Sequence, residues 1–179
     1  MMVLVVLADT YLVARLIPSR RHRRRPPPDA ARVAMATAMT FTGVSHVVNP
    51  KPFVQHLPDF MPGREQVIFA TGLLEALFGV GLATPHRWRR EVALALAAYL
   101  IAVFPANVYV AVTGVRIEGL PGASHPWLRL PFQFVYIAWT FWAVPGSWQL
   151  ARTWARALQE EAAPFLLRRE PVLAGSGAS

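Results

Sequence analysis

No cysteine occurs in the 179 residues of the chain, which excludes a dithiol, a thiolate nucleophile, a cysteine zinc site and an iron–sulfur cluster held by this chain alone. A redox role would need a bound cofactor or a partner subunit. Lysine is almost as scarce, with Lys51 the single one among 18 basic residues. Charge of either sign is sparse, at 16% of residues against 54% hydrophobic, and the mean hydropathy is +0.34. That balance is too apolar for a soluble domain of this length to hide inside one core. It predicts an all-α membrane protein. A net charge of +8 would raise nucleic acid as a partner in a soluble protein, but here the arginines stand between apolar runs and do not line one polar face. The expected partner is therefore the lipid bilayer, and no nucleic acid.

Residues 1–17 are apolar enough to form an N-terminal transmembrane helix, interrupted by Asp9 and Arg15. A signal peptide would carry its positive charge before the apolar core, whereas here the charge follows. Residues 18–31 form an arginine- and proline-rich loop with Arg20, Arg21, Arg23, Arg24 and Arg25, expected in the cytoplasm beside anionic lipid. A four-helix bundle is then expected over 32–146. Its spans are 31–48, closed by Asn49-Pro50; 66–84; 92–115, broken by Pro105; and 127–144. Pro105 cannot bond back to the carbonyl of Ile101, and Asn107 is the candidate for that repair.

The proline-rich stretch 51–65 reads as an external loop folded on the helix ends, 85–91 as an inner turn and 116–127 as a second external loop. In 147–163, Trp148, Ala151, Trp154, Ala155 and Leu158 recur at helical spacing, with Arg152, Arg156 and Gln159 elsewhere around the helix. This pattern predicts an amphipathic interfacial helix, followed by a disordered tail over 164–179. Placing the N-terminus outside and the C-terminus in the cytoplasm of a multi-pass cell-membrane protein leaves only Lys51, Arg64, Arg116 and Arg129 on the outer side.

Polar residues inside such spans are the candidate site. Glu75 sits in the run TGLLEALFGVGLATP from Thr71, where a carboxylate costs about 2 to 4 kcal/mol on insertion scales. Counting inward at about 1.5 Å per residue puts His46 roughly 3 to 5 Å deep, Asn107 and Gln133 roughly 9 Å and Glu75 roughly 13 Å. All four core helices thus place a polar side chain in the outer half of the membrane. One outward-opening polar cavity follows, with Arg129 at its rim as a counter-charge. Glu75 and His46 are the candidate proton-carrying, catalytic pair; Asn107, Arg129, Gln133 and Trp139 are the candidate cofactor-binding residues, with Tyr99 and Tyr109 as further aromatic lining. The bland alternatives are Glu75 as interhelical glue bonded to Asn107 or Gln133, His46 as a cap near the Asn49-Pro50 break, and the aromatics as packing. No ligand spacing supports a metal site at His46, His56 and His125.

The succession FTGVSHVVNPKPF from Phe41, LPDFMP from Leu57, ATGLLEALFGVGL from Ala70, FPANVYVA from Phe104 and LRLPFQFVYIAW from Leu128 resembles the DoxX-like membrane proteins, over about residues 33–144. Gly43, His46, Pro50, Gly72, Glu75, Pro105, Asn107, Arg129, Pro131 and Gln133 fall on the positions that mark that family. The resemblance implies a four-helix membrane bundle that serves as a membrane subunit or partner of a quinone-linked oxidoreductase. It makes quinone the candidate cofactor and a protein partner or a homo-oligomer the expected assembly. Relatives of that family that look like assembly factors keep a non-catalytic scaffold as the alternative.

Overall fold

The computed structural model describes residues 2–16, 26–84, 87–114 and 126–167. Every regular element among them is helical: α1 (Met2–Leu16), α2 (Pro27–Val48), the single turn α3 (Lys51–Val54), α4 (Arg64–Ala83), α5 (Arg89–Ala102), α6 (Phe104–Thr113), α7 (Arg129–Ala143) and α8 (Ser147–Leu167). A 3₁₀ turn, Pro126–Leu128, leads into α7. The arginine block, most of the expected second external loop and the end of the expected tail lie outside the described residues.

Helix boundaries follow local chemistry. The helix α2 begins inside the expected arginine–proline loop, because Pro27 and Pro28 occupy its first positions. There a missing N–H costs nothing and the fixed φ suits the helix. Asn49 closes α2, its N–H donating to the carbonyl of Ser45. Gly63, at φ +68°, supplies the left-handed turn that starts α4. Pro105 sits in the first turn of α6, and the break expected from it falls just upstream, at Val103. At the other end of the chain α8 runs on to Leu167, so residues 164–167 are helical where a disordered tail was expected.

Two stretches are long and apolar enough to cross a membrane: Arg64–Ala83, with mean hydropathy 1.7, and Arg89–Thr113, with mean hydropathy 1.9. Only 28% of each window is buried inside the protein, so most of that apolar surface faces outward. A core helix of a soluble domain buries the larger share instead.

The helices alternate in direction, and side-chain contacts fix which ends meet. Arg32, at the start of α2, donates to the carbonyl of Leu82 at the end of α4 (2.6 Å), a favourable place for a cation because the last carbonyls of a helix lack partners. Arg90 of α5 lies against Gly146, where a Cβ would come within 2.7 Å of its Nε. Tyr11 of α1 packs edge-on against Trp139 of α7. One end of the bundle therefore gathers the starts of α2, α5 and α8 with the ends of α4 and α7. The core beneath it holds Leu7, Met35, Leu82 and Leu96, all fully buried.

Candidate functional site

At the opposite end, α2 and α4 approach closely because glycines face each other. A Cβ on Gly43 would lie 2.5 Å from the carbonyl oxygen of Gly72 and 2.6 Å from the backbone nitrogen of Ala76, and one on Gly72 would lie 2.6 Å from the Cβ of His46. His46 and Glu75 each stand three residues beyond one of these glycines, so they leave the crossing side by side. The His46 Nδ1 and Glu75 Oε2 atoms are 3.7 Å apart, too far for a hydrogen bond. Both atoms are buried, and neither has a hydrogen-bond partner among the described residues. The other Glu75 oxygen accepts from the Tyr99 hydroxyl of α5 at 2.7 Å.

Asn107 and Gln133 do not bond to Glu75. Gln133 Nε2 donates to the carbonyl of Leu100 at 2.6 Å, and Asn107 Nδ2 donates to Gln133 Oε1 at 3.3 Å. The last four carbonyls of α5 have no partner within that helix. The Val103 N–H reaches those of Tyr99 and Ile101, and Gln133 reaches that of Leu100. The Ile101 carbonyl, where the repair was expected, is thus met by the Val103 N–H, while Gln133 of α7 caps the neighbouring Leu100 carbonyl and Asn107 acts one step away by holding the Gln133 amide.

His46, Glu75, Tyr99, Asn107 and Gln133 all line one cavity of about 520 Å³, together with Thr42, Thr71, Tyr109 and Tyr136. This lies in the size range of small-molecule sites. Val3 of α1 contributes to the wall, and Phe53, His56, Leu57, Pro58 and Met61 close one side. The segment read from sequence as an external loop is thus a wall of the site. Phe53 presents its ring edge-on to His46, with centroids 4.0 Å apart.

Arg129 stands behind this wall. Its guanidinium donates to His56 Nε2, and His56 Nδ1 donates to the carbonyl of Pro52 at 3.1 Å, which fixes the neutral tautomer of the ring. Burial, reinforced by the Arg129 charge, pushes the His56 pKa down to about 4. Arg129 therefore orders a cavity wall through His56 and is not itself a lining residue. Trp139 is not one either. Its indole donates to the carbonyl of Ala31 at 3.0 Å and packs against Tyr11 and Trp142 at the other end of the bundle. The expectation that Trp139 binds a cofactor in this cavity gives way to a structural role tying α1, α2 and α7.

Sequence reasoning missed Val3, Phe53 and His56. The pairing of His56 with Arg129 had one signal, a histidine and an arginine both assigned to the outer end. Val3 carried no signal that distinguishes it from its apolar neighbours. Among the described residues, no group of three histidine, aspartate or glutamate side chains is placed to hold a metal ion.

A family model described as a domain of unknown function (DUF8561) matches residues 35–144. That span contains the whole polar constellation and α3 to α7, and leaves out α1, the start of α2, and α8. No curated protein and no solved structure matches the chain.

Proposed function

The chain belongs to this family of unknown function, and we propose that it is the membrane subunit, or membrane partner, of a quinone-linked oxidoreductase. In this reading α2, α4, the α5–α6 pair and α7 form a four-helix transmembrane bundle. The helix α1 is an added span and α8 lies on the bilayer surface. The N-terminus faces outward and the C-terminus the cytoplasm. The DoxX-like order of the sequence blocks supports the same assignment.

One observation carries the proposal. His46 and Glu75 line an otherwise mostly apolar cavity, and each keeps one buried hydrogen-bonding atom, Nδ1 and Oε2, without a protein partner among the described residues. Leaving such atoms unsatisfied costs about 1 to 3 kcal/mol each, so a ligand that bonds to them recovers free energy that no protein contact supplies. A quinone headgroup fits: its flat ring suits the walls formed by Phe53, Tyr99 and Tyr109, and its oxygens, which only accept, suit a proton carried by His46 or Glu75. When bound, such a group supplies two-electron chemistry that needs protons delivered at low dielectric. His46 or Glu75 can hold a proton at the cavity wall, and Tyr99 holds the other carboxyl oxygen of Glu75. Electrons must come from or go to a partner protein, since this chain lacks the thiols that would carry them.

The close packing of α2 on α4 favours a second reading, in which the cluster only joins helices in a non-catalytic scaffold or assembly factor. Titration of the purified protein with a short-chain benzoquinone separates the two. Binding by the wild type, weakened roughly tenfold in Glu75→Leu with an unchanged melting temperature, is expected from loss of the protonated carboxyl as a donor to a quinone oxygen, which only accepts. No binding by the wild type, or a Glu75→Leu protein that binds normally but melts lower, would leave the scaffold.

A further inference from the structure

The face of α8 that the bundle does not cover carries a second recognition surface. Trp148, Trp154 and Leu158 are 54%, 58% and 60% exposed. At 100° per residue they fall, with Ala151 and Ala155, within one arc of about a third of the helix circumference. Arg152 and Arg156 stand just beyond one edge of that arc, and the opposite face carries Thr153 and Glu160. Only the beginning of the helix is anchored. The Trp148 ring meets Phe141, Ser147 is fully buried, and residues 152–163 are all exposed.

The location of α8 identifies what covers it. The helix leaves the bundle at the end where α1, α4 and α7 finish and α2 and α5 begin. Arg32, Arg87, Arg89 and Arg90 stand there, and the sequence joining α1 to α2 carries Arg20, Arg21, Arg23, Arg24 and Arg25. An apolar stripe with two tryptophans, bordered by arginines and placed at the cationic end of an apolar bundle, matches the depth profile of a bilayer interface. Indole rings settle at headgroup level, and arginines extend to lipid phosphates.

We infer that α8 is a docking surface for anionic phospholipid, its tryptophan–leucine stripe seated in the interface and Arg152 and Arg156 engaging the headgroups. The inference rests on the membrane placement proposed above and is independent of whether the cavity binds a quinone. Docking there would hold the cationic end of the bundle against an anionic leaflet.

Because the chain has no cysteine, each introduced cysteine carries a single spin label. The full-length protein would be reconstituted in phosphatidylcholine vesicles with and without phosphatidylglycerol and labelled at Ala155→Cys, Leu158→Cys, Thr153→Cys or Glu160→Cys. Collision with oxygen and with a water-soluble nickel chelate is then measured. In vesicles containing phosphatidylglycerol, labels at 155 and 158 are expected to be oxygen-accessible and shielded from nickel, with the reverse at 153 and 160. The combined Arg152→Gln and Arg156→Gln changes should lower the ratio of docked to lifted helix roughly 30-fold, at about 5-fold per arginine. Nickel access at every position, or docking indifferent to phosphatidylglycerol and to both arginines, would overturn the inference. So would shielding of 155 and 158 accompanied by spin–spin broadening, which would show a second copy on this face. A label at Leu77→Cys, on the outward face of α4, separates the two proposals: oxygen access there with none on α8 defeats only the docking surface, and water access at both defeats the membrane placement.

Discussion

At the scale of single residues, His56 is the group whose ionisation the structure constrains most clearly. Its Nε2 accepts from Arg129 and its Nδ1–H donates to Pro52, so both nitrogens are occupied only while the ring is neutral. Protonation would set a second cation against a guanidinium. With a folded pKa of about 4 and an unfolded value of about 6.5, the unfolded chain binds the extra proton between those limits. The contribution of His56 to stability is then complete above about pH 6.5, falls as pH drops through the window, and is gone below about pH 4. In His56→Gln an amide oxygen can still accept from Arg129 but cannot titrate. The melting temperature of the wild type should therefore fall more steeply from pH 7 to pH 4 than that of His56→Gln, and parallel curves would refute the assignment. The sequence was legible here up to a limit. Depth along each helix selected His46, Glu75, Asn107 and Gln133, and all four line one cavity. Their pairings were not legible, because Tyr99 reaches Glu75, and Gln133 reaches Leu100, through helix rotation and crossing geometry that spacing along one helix does not encode.

At the scale of elements, the glycines of α4 divide by what they face. Gly72 and Gly79 press on α2, where a Cβ would meet the Gly43 carbonyl oxygen at 2.9 Å or that of Ala36 at 2.8 Å, while Gly81 faces the methyl groups of Val92 at 3.1 and 3.3 Å. Backbone cannot yield without separating the helices, whereas a valine on the neighbouring helix can shift by a few tenths of an ångström. Gly43→Ala and Gly72→Ala are therefore expected to lower stability by about 1 to 3 kcal/mol, as overpacking does, and to move His46 away from Glu75. In Gly81→Ala the gain in helix propensity, up to about 1 kcal/mol, offsets the tighter contact and leaves stability nearly unchanged. Denaturation in detergent measures all three, and equal losses would mean that the α2–α4 crossing is not specially close. Composition showed that small residues sit on both helices, but the partner of each glycine depends on helix phase. The start of α2 at Pro27 and the run of α8 to Leu167 were unreadable because proline and alanine near a helix end are compatible with both states.

At the scale of the whole molecule, the bundle is polarised, with Arg32, Arg87, Arg89 and Arg90 at one end and the cavity at the other, and α1 connects the two. Its buried Leu7 joins the core and Tyr11 joins the aromatic cluster with Trp139 and Trp142, while Val3 reaches the cavity wall. The family match begins at residue 35, so this chain completes its site with a helix from outside the matched span. A sequence reading could assign α1 to the membrane by its apolar character, but closing a cavity formed by other helices is a property of packing, which hydropathy does not report. That gives a test of the ligand proposal that leaves every polar group intact. Val3→Trp places a large apolar side chain at the cavity wall and should weaken binding of a short-chain benzoquinone by at least roughly tenfold, about 1.4 kcal/mol. Val5 is 54% exposed, so Val5→Trp alters the same helix on its outward side and should bind as the wild type does. If Val3→Trp also binds normally while keeping its melting temperature, the ligand does not occupy the space beside α1, and α1 closes the cavity without contributing to binding.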